Sequence, residues 1–242
     1  MLPTGSPADV AAVPATATST RNARIRTDSA PTARCNALTM SKLFDWFGPS
    51  RTEIWRKLSA QIGGSYSPRT WRKSDRIEVV HEHWTITLDT FAVHANNAHI
   101  PYTRFRAPFH NTDQFRCKIY RASFFSAIGK WFGMQDITIG HEPFDETFIV
   151  KSNNETKVRA FCRNDELRRL LAAQKAITLS VEDHEGWFGP KFPADADELR
   201  VVVHGHLKDT ERLRALFHLF GVALDQLCEI GAAYAKTPSL RL

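Results

Sequence analysis

The chain has 242 residues, 43% of them apolar and 24% charged, with a formal charge of +6 and a pI near 9.3. No run approaches the roughly 18 apolar residues of a membrane-spanning helix, and the four cysteines (Cys35, Cys117, Cys162, Cys228) stand singly, without a C-x-x-C pair. A helical membrane protein and a disulfide-held secreted scaffold are therefore excluded, and reduced thiols in a cytoplasmic protein are expected.

Residues 1–39 contain no aromatic residue, no Lys and no Glu, and are dominated by Ala, Thr, Ser and Pro. Such a segment cannot bury enough surface to offset its ordering entropy. It reads as a disordered leader, or as upstream sequence with Met40 as the true start; a transit peptide fits loosely. A single globular domain is expected over 40–236 and a frayed tail over 237–242. "KLFDWFG" (42–48) crowds four apolar side chains beside Lys42 and reads as a lid, with a short interfacial anchor as the other option.

"SRTEIWRKLSAQIGG" (50–64) predicts the first helix, capped by Ser50 or Thr52 and stopped by Gly63-Gly64. The period then changes to two. "IEVVHEHWTITLDTF" (77–91) reads as one strand, with Val80, Trp84, Ile86 and Leu88 on one face and His81, His83, Thr85, Thr87 and Asp89 on the other. Residues 99–109 and 115–124 alternate as well, and "HNTD" (110–113) between them predicts a hairpin. A helix is expected over 123–133 and short strands over 136–140 and 145–150. Two further helices follow, capped by Asn154 and Asn164. Strands follow at 176–183 and 198–207, then one long helix from Asp209 to about Ala235. Strands in consecutive groups argue for an α+β fold. It would be a largely antiparallel, curved sheet with helices on one face and a long C-terminal helix. A small β-barrel plugged by that helix is the alternative.

Within "DITIGHEPFDETFIVKSNNETKVRAF" the residues Asp136, Ile137, Ile139, Gly140, Phe144, Asp145, Phe148, Val150, Asn153, Val158 and Arg159 form a pattern, D-I-x-I-G-x-x-x-F-D-x-x-F-x-V-x-x-N-x-x-x-V-R. This pattern resembles that of a family of uncharacterised bacterial proteins. The resemblance covers about 40–236 and implies no activity. Asp145 itself reads as a carboxylate bonding nearby backbone N–H groups at the start of a strand.

Two sets of side chains are candidates for function. His81, His83, His204 and His206 fall in the H-x-H pairs "HEH" and "HGH"; on adjacent strands four imidazoles would converge into a Zn or Fe site. Solvent-facing histidines are the plainer account. Arg104, Arg106, Arg116 and Lys118, interleaved with Tyr102 and Tyr120, would give a basic hairpin able to hold single-stranded nucleic acid or an anionic membrane surface. The acidic stretches 181–185 and 195–198 could instead pair with it. No G-x-S-x-G, Walker A or G-x-G-x-x-G motif occurs. A non-catalytic binding module without a cofactor is the expectation, with a protein partner or an anionic surface as its target and a metal-dependent enzyme as the alternative. Trp-Phe-Gly occurs at 46–48, 131–133 and 187–189 in three unlike contexts. These read as three places where large rings bury and glycine frees the chain to turn, not as a repeat.

Overall fold

The computed structural model describes residues 49–71, 73–95, 98–111, 113–122, 134–182 and 196–234. The expectations for the leader, for 42–48, for the helix at 123–133 and for all three Trp-Phe-Gly stretches lie outside these residues.

Helix α1 (Arg51–Gln61) begins at Ser50, whose hydroxyl accepts from the Glu53 N–H while the Glu53 side chain accepts from the Ser50 N–H. This capping box satisfies two otherwise orphaned donors. Gly63 then turns the chain at φ +68°. Strands β1 (Ser65–Ser67), β2 (Arg76–His81), β3 (Trp84–Ala95) and β4 (Ala98–His110) follow, then β5 (Cys117–Arg121) and the two-residue β6 (Gln135–Asp136). After these come α2 (Glu142–Asp145), β7 (Phe148–Ser152), α3 (Glu155–Phe161), α4 (Asp165–Ala172), β8 (Ile177–Glu182), β9 (Ala196–His204) and α5 (Thr210–Glu229). Asn154 and Asn164 cap α3 and α4 as expected, their side chains accepting from Lys157 N–H and Leu167 N–H.

The strands form one nine-stranded sheet in the order β1-β2-β3-β4-β9-β8-β5-β7-β6. Every neighbouring pair is antiparallel. The sheet is open and curved, with β1 and β6 at its two edges, so the fold is α+β as expected. The barrel alternative is overturned, because the two edge strands do not pair with each other.

Three local expectations are corrected. Residues 77–91 are two strands, not one: Glu82 adopts φ 50° and His81 pairs with Trp84, closing a two-residue turn. The reversal places Val80 opposite Thr85, away from the core and 73% exposed. The predicted hairpin of residues 99–109 and 115–124 does not form, because β9 and β8 lie between β4 and β5. The final helix ends at Glu229 rather than near Ala235. Gly231 takes φ +68°. Its N–H donates to Cys228 O, and that of Ala232 to Leu227 O, a glycine-dependent helix stop. At 1.5 Å per residue the 20-residue helix is about 30 Å long.

One face of the sheet is apolar. Ile77, Leu88, Phe105, Val201, Leu179, Ile119 and Val150 lie in register across seven strands, and all are essentially inaccessible. Helix α5 covers this face; the rings of Phe217 and Phe220 lie 4.9 Å and 6.3 Å from Phe105. Trp55 and Leu58 of α1, Val158 and Phe161 of α3, and Leu167 and Leu171 of α4 join the same core. Each such side chain stabilises the fold by about 1.5–3 kcal/mol on burial.

Candidate anion-binding face

Side chains alternate across a strand, so the residues between the core positions form a second face. There the register runs through all nine strands. Ser65, Glu78, Thr87 and Arg106 are successive partners, and the line continues through Arg200, Ser180, Lys118, Lys151 and Asp136. Every member is polar. Four are cations and two are carboxylates, so the row is basic on balance.

Its centre is an alternating chain of charges. Asp89 accepts from Arg104 twice, Nε to Oδ1 and Nη2 to Oδ2, both at 2.9 Å, and from Arg106 Nη2 at 2.6 Å. Arg106 then approaches Glu198 at 3.7 Å, Arg200 lies 3.6 Å from Glu198, and Arg200 Nη1 donates to Glu182 at 2.7 Å. Ser180 also donates to Glu182. Burial raises the Asp89 carboxyl, but the bonds and charges of Arg104 and Arg106 outweigh it and hold the group below its ordinary value. At Glu198 burial wins over Arg106, Arg200 and Arg104, and its pKa is raised. Burial also lowers Lys118, against the pull of Glu182. Glu198 Oε2, Arg106 Nε and Arg200 Nε are buried without a hydrogen-bond partner among the described residues.

Three of the four predicted basic residues, Arg104, Arg106 and Lys118, thus share one face without sharing a hairpin. Arg104 and Arg106 lie on β4. Lys118 lies on β5, three strand spacings away in the sheet order, or roughly 14 Å. Arg116, just before β5, is 3.4 Å from Asp197. The pairing of these cations with 181–185 and 195–198 is observed at Glu182, Asp197 and Glu198. Asp89, in the next strand, lies on the face its alternation predicts and anchors Arg104 and Arg106, a role that no local spacing signals.

Beside this chain lies a cavity of about 290 Å³ lined by Lys73, Ser74, Arg76, Asp89, Thr90, Arg104 and Arg106. Its lining carries four cations against one carboxylate. Arg76 also reaches Glu78 at 3.3 Å. The stretch leading into β2 is anchored at Asp75, which is buried and bonded to Arg51 of α1. Arg51 in turn lies over the Trp55 ring at 5.2 Å. A second cavity, of about 460 Å³, has His141, Phe144, Phe148, Arg168 and Arg169 in its wall. Its charges are committed internally. Arg168 bonds the Cys162 carbonyl and Asp165, and Arg169 bonds Glu166, which also meets His218 at 3.1 Å.

The histidines are not brought together. The ends of β2 and β9 are separated by β3 and β4. They also sit at opposite levels: His81 pairs with Trp84, whereas His204 pairs with Tyr102, the partner of Phe91. The seven steps along the strand from Trp84 to Phe91 span about 23 Å. His81 faces the helix side, contrary to expectation, and its Nε2 lies 3.1 Å from Asp225 of α5. His83 packs edge-on to Trp84, and His204 edge-on to Tyr102. His206 Nδ1 accepts from Arg51 at 3.0 Å; burial and the Arg51 charge lower its pKa. Among the described residues no group of three or more His, Cys, Asp or Glu is arranged to hold a metal ion.

The Asp136–Arg159 pattern has a structural explanation. Asp145 accepts from the N–H groups of Ile139, Gly140 and His141 at 2.9–3.0 Å, as its sequence context predicted. Gly140 has φ +85°, and Phe144 stacks on Phe148 at 4.5 Å. Asn153 accepts from Arg116 N–H and donates to Gln114 O. Cys117 and Cys162 are buried and Cys228 is half-buried. Burial pushes the Cys162 thiol up to about 12 and that of Cys117 higher still, which disfavours the thiolate at both.

Among the described residues no helix is long and apolar enough to cross a membrane. No family model matches the chain, and no curated protein matches it. Among solved structures, the mycobacterial trehalose monomycolate transport factor A, TtfA, aligns with 79% of this chain and 98% of its own, at 8% identity and a TM-score of 0.40.

Proposed function

We propose that this domain is a non-catalytic binding module that holds an anionic group, phosphate in type, in the cavity beside Arg104 and Arg106. The observation that carries the reading is the lining: Lys73, Arg76, Arg104 and Arg106 against the single carboxylate of Asp89. Asp89 fixes both β4 guanidinium groups from the sheet side. Preorganised guanidinium groups lose less rotamer freedom on binding and match the planar fork geometry that phosphate and carboxylate accept. Lys118 belongs to the same face and Arg116 meets Asp197 near its border, but both stand too far off to share one small anion. Their role is to extend the positive field over a longer polyanion. The reading calls for no metal and no cofactor. Kinship with the bacterial family that the Asp136–Arg159 pattern resembles is part of the same proposal.

Calorimetric titration with inorganic phosphate and with polyphosphate tests this reading. Lys73 is exposed and forms no ion pair among the described residues, so Lys73→Glu leaves the fold intact. It weakens polyphosphate binding about tenfold or more, with steep salt dependence in the wild type. Arg104→Gln weakens it further. Binding that is undetectable in the wild type, or unchanged in both variants, refutes the proposal.

A further inference from the structure

Strand β2 covers only part of β3. Its pairs run from His81–Trp84 to Ile77–Leu88, and β1 pairs with β2 rather than with β3. Strand β3 continues to Ala95, paired with β4 on its other side as far as Ala95–Ala98. Among the described residues, Asp89–Ala95 has no strand partner on the β2 side. In an antiparallel ladder, bonded and non-bonded pairs alternate. The two-residue turn makes His81–Trp84 a bonded pair, so Trp84, Ile86 and Leu88 turn their backbone groups to β2. The same alternation turns the N–H and C=O groups of Thr90, Ala92 and His94 to the bare side. No backbone bond to another described residue engages them there. The six steps from Asp89 to Ala95 cover about 20 Å, the length of an ordinary strand. Long edges are commonly blunted by Lys or Pro, and residues 89–95 contain neither.

The cavity lies where β2 parts from β3: Arg76 begins β2, and Arg76, Asp89 and Thr90 are all in its wall. Phe91 and Val93, both half-buried, lead up to it on the face of Asp89. Phe91 stacks on Tyr102 at 5.3 Å, and the Arg104 guanidinium lies 4.9 Å from its ring.

Resting on the anion-binding reading above, we propose that the bare edge of β3 takes an extended peptide from a partner protein as an added antiparallel strand, with the peptide's C-terminal carboxylate in the cavity. A strand that prolongs the line of β2 and shares its direction travels from the Ala95 end towards Thr90, so its last residue arrives at the cavity. Backbone bonds to Thr90, Ala92 and His94 hold it, and alternate side chains lie against Phe91 and Val93. The guanidinium pair that suits phosphate accepts a carboxylate in the same fork geometry. A second copy of this chain is the poorer occupant. The strand it would bring, 90–103, has no acidic residue and carries His94 and His99, so it offers the cationic cavity no counter-charge.

An array of random heptapeptides, each made with a free C-terminal carboxylate and as the C-terminal amide, is probed with the full chain. The strongest binder is then titrated by fluorescence anisotropy alongside polyphosphate. The free acid is expected to bind about tenfold or more tightly than its amide. N-methylation of the alternate peptide amides that face β3 weakens binding by a similar factor, and N-methylation of the other set leaves it unchanged. Ala92→Pro removes an N–H on the bare side, a position where an edge strand tolerates proline. This variant loses peptide binding and keeps polyphosphate binding. Should it fail to fold, the two N-methylated peptides decide the matter on the wild-type chain. If acid and amide bind alike, if both methylated sets weaken binding equally, or if no peptide binds while polyphosphate does, the strand inference is overturned and the anion site stands. If the peptide shows both effects and polyphosphate does not bind, the phosphate reading falls and the strand inference stands. Self-association in analytical ultracentrifugation that Ala92→Pro abolishes assigns the edge to a second copy and overturns the proposal.

Discussion

Glu198 is the most enclosed carboxylate of the polar face, at 1% exposure. Its pKa is raised chiefly by burial, against Arg106 and Arg200. The folded state therefore favours its neutral form. That contribution is present below the ordinary value of 4.5 and is lost as pH rises through the folded value. Asp89 acts in the opposite direction, its stabilisation being present above 3.8 and lost as pH falls through its lowered value. Glu198→Gln should thus gain melting temperature relative to the wild type as pH rises from about 4 to 8, and calorimetric scans across that range check it. A difference that stays flat with pH contradicts the assignment. At this scale the sequence is legible where a side chain acts on its own neighbours. The caps at Asn154 and Asn164 and the role of Asp145 all follow from spacing within a few residues. His81 was not legible, because a turn without Gly or Asn reversed the chain and exchanged its face.

Helix α5 shows which element boundaries were readable. Asp209 accepts from the N–H groups of Glu211 and Arg212 at 3.0 and 3.1 Å, and its position before the apolar stripe announces the start. Asp209→Ala should cost about 1 kcal/mol, read as a lower midpoint in urea with an unchanged slope. The helix end was overestimated because Gly231 continues the apolar period while its backbone leaves the helix. Strand existence was readable from alternation, and strand partners were not. β4 and β5 look like hairpin arms in sequence, separated by a short polar turn. In space β4 instead pairs with a strand some ninety positions later. Pairing depends on which apolar rows complete a common core, and no local signal carries that.

At the scale of the whole molecule, β9 is the seam. Among the described strands it is the one that pairs β1–β4 with the group β8, β5, β7 and β6. Contacts of such large sequence separation must wait for most of the chain, which slows folding and ties the halves into one transition. A chain ending at residue 195 should lack a cooperative thermal transition, whereas the full chain melts in one step; circular dichroism distinguishes them. The same seam assembles the candidate site's charge chain, since Arg104 and Arg106 come from β4, Glu198 and Arg200 from β9, and Glu182 from β8. Arg104 and Arg106 are legible as a run of basic residues, whereas the cavity's other cations, Lys73 and Arg76, come from the approach to β2, and Glu198 and Arg200, which extend the charge chain, arrive from the far end of the sequence.

The open sheet also has two borders, and both are very short: three residues in β1 and two in β6. A neighbouring copy that added itself to β1 or β6 would find only that many backbone groups to bond, although Asp89–Ala95 of β3 runs on beyond β2 without a strand partner on that side among the described residues. A strip of two or three residues is too short to repay the ordering it requires. A wide, strongly alternating sheet thus offers little to a further strand at its two edge strands, and growth there is disfavoured.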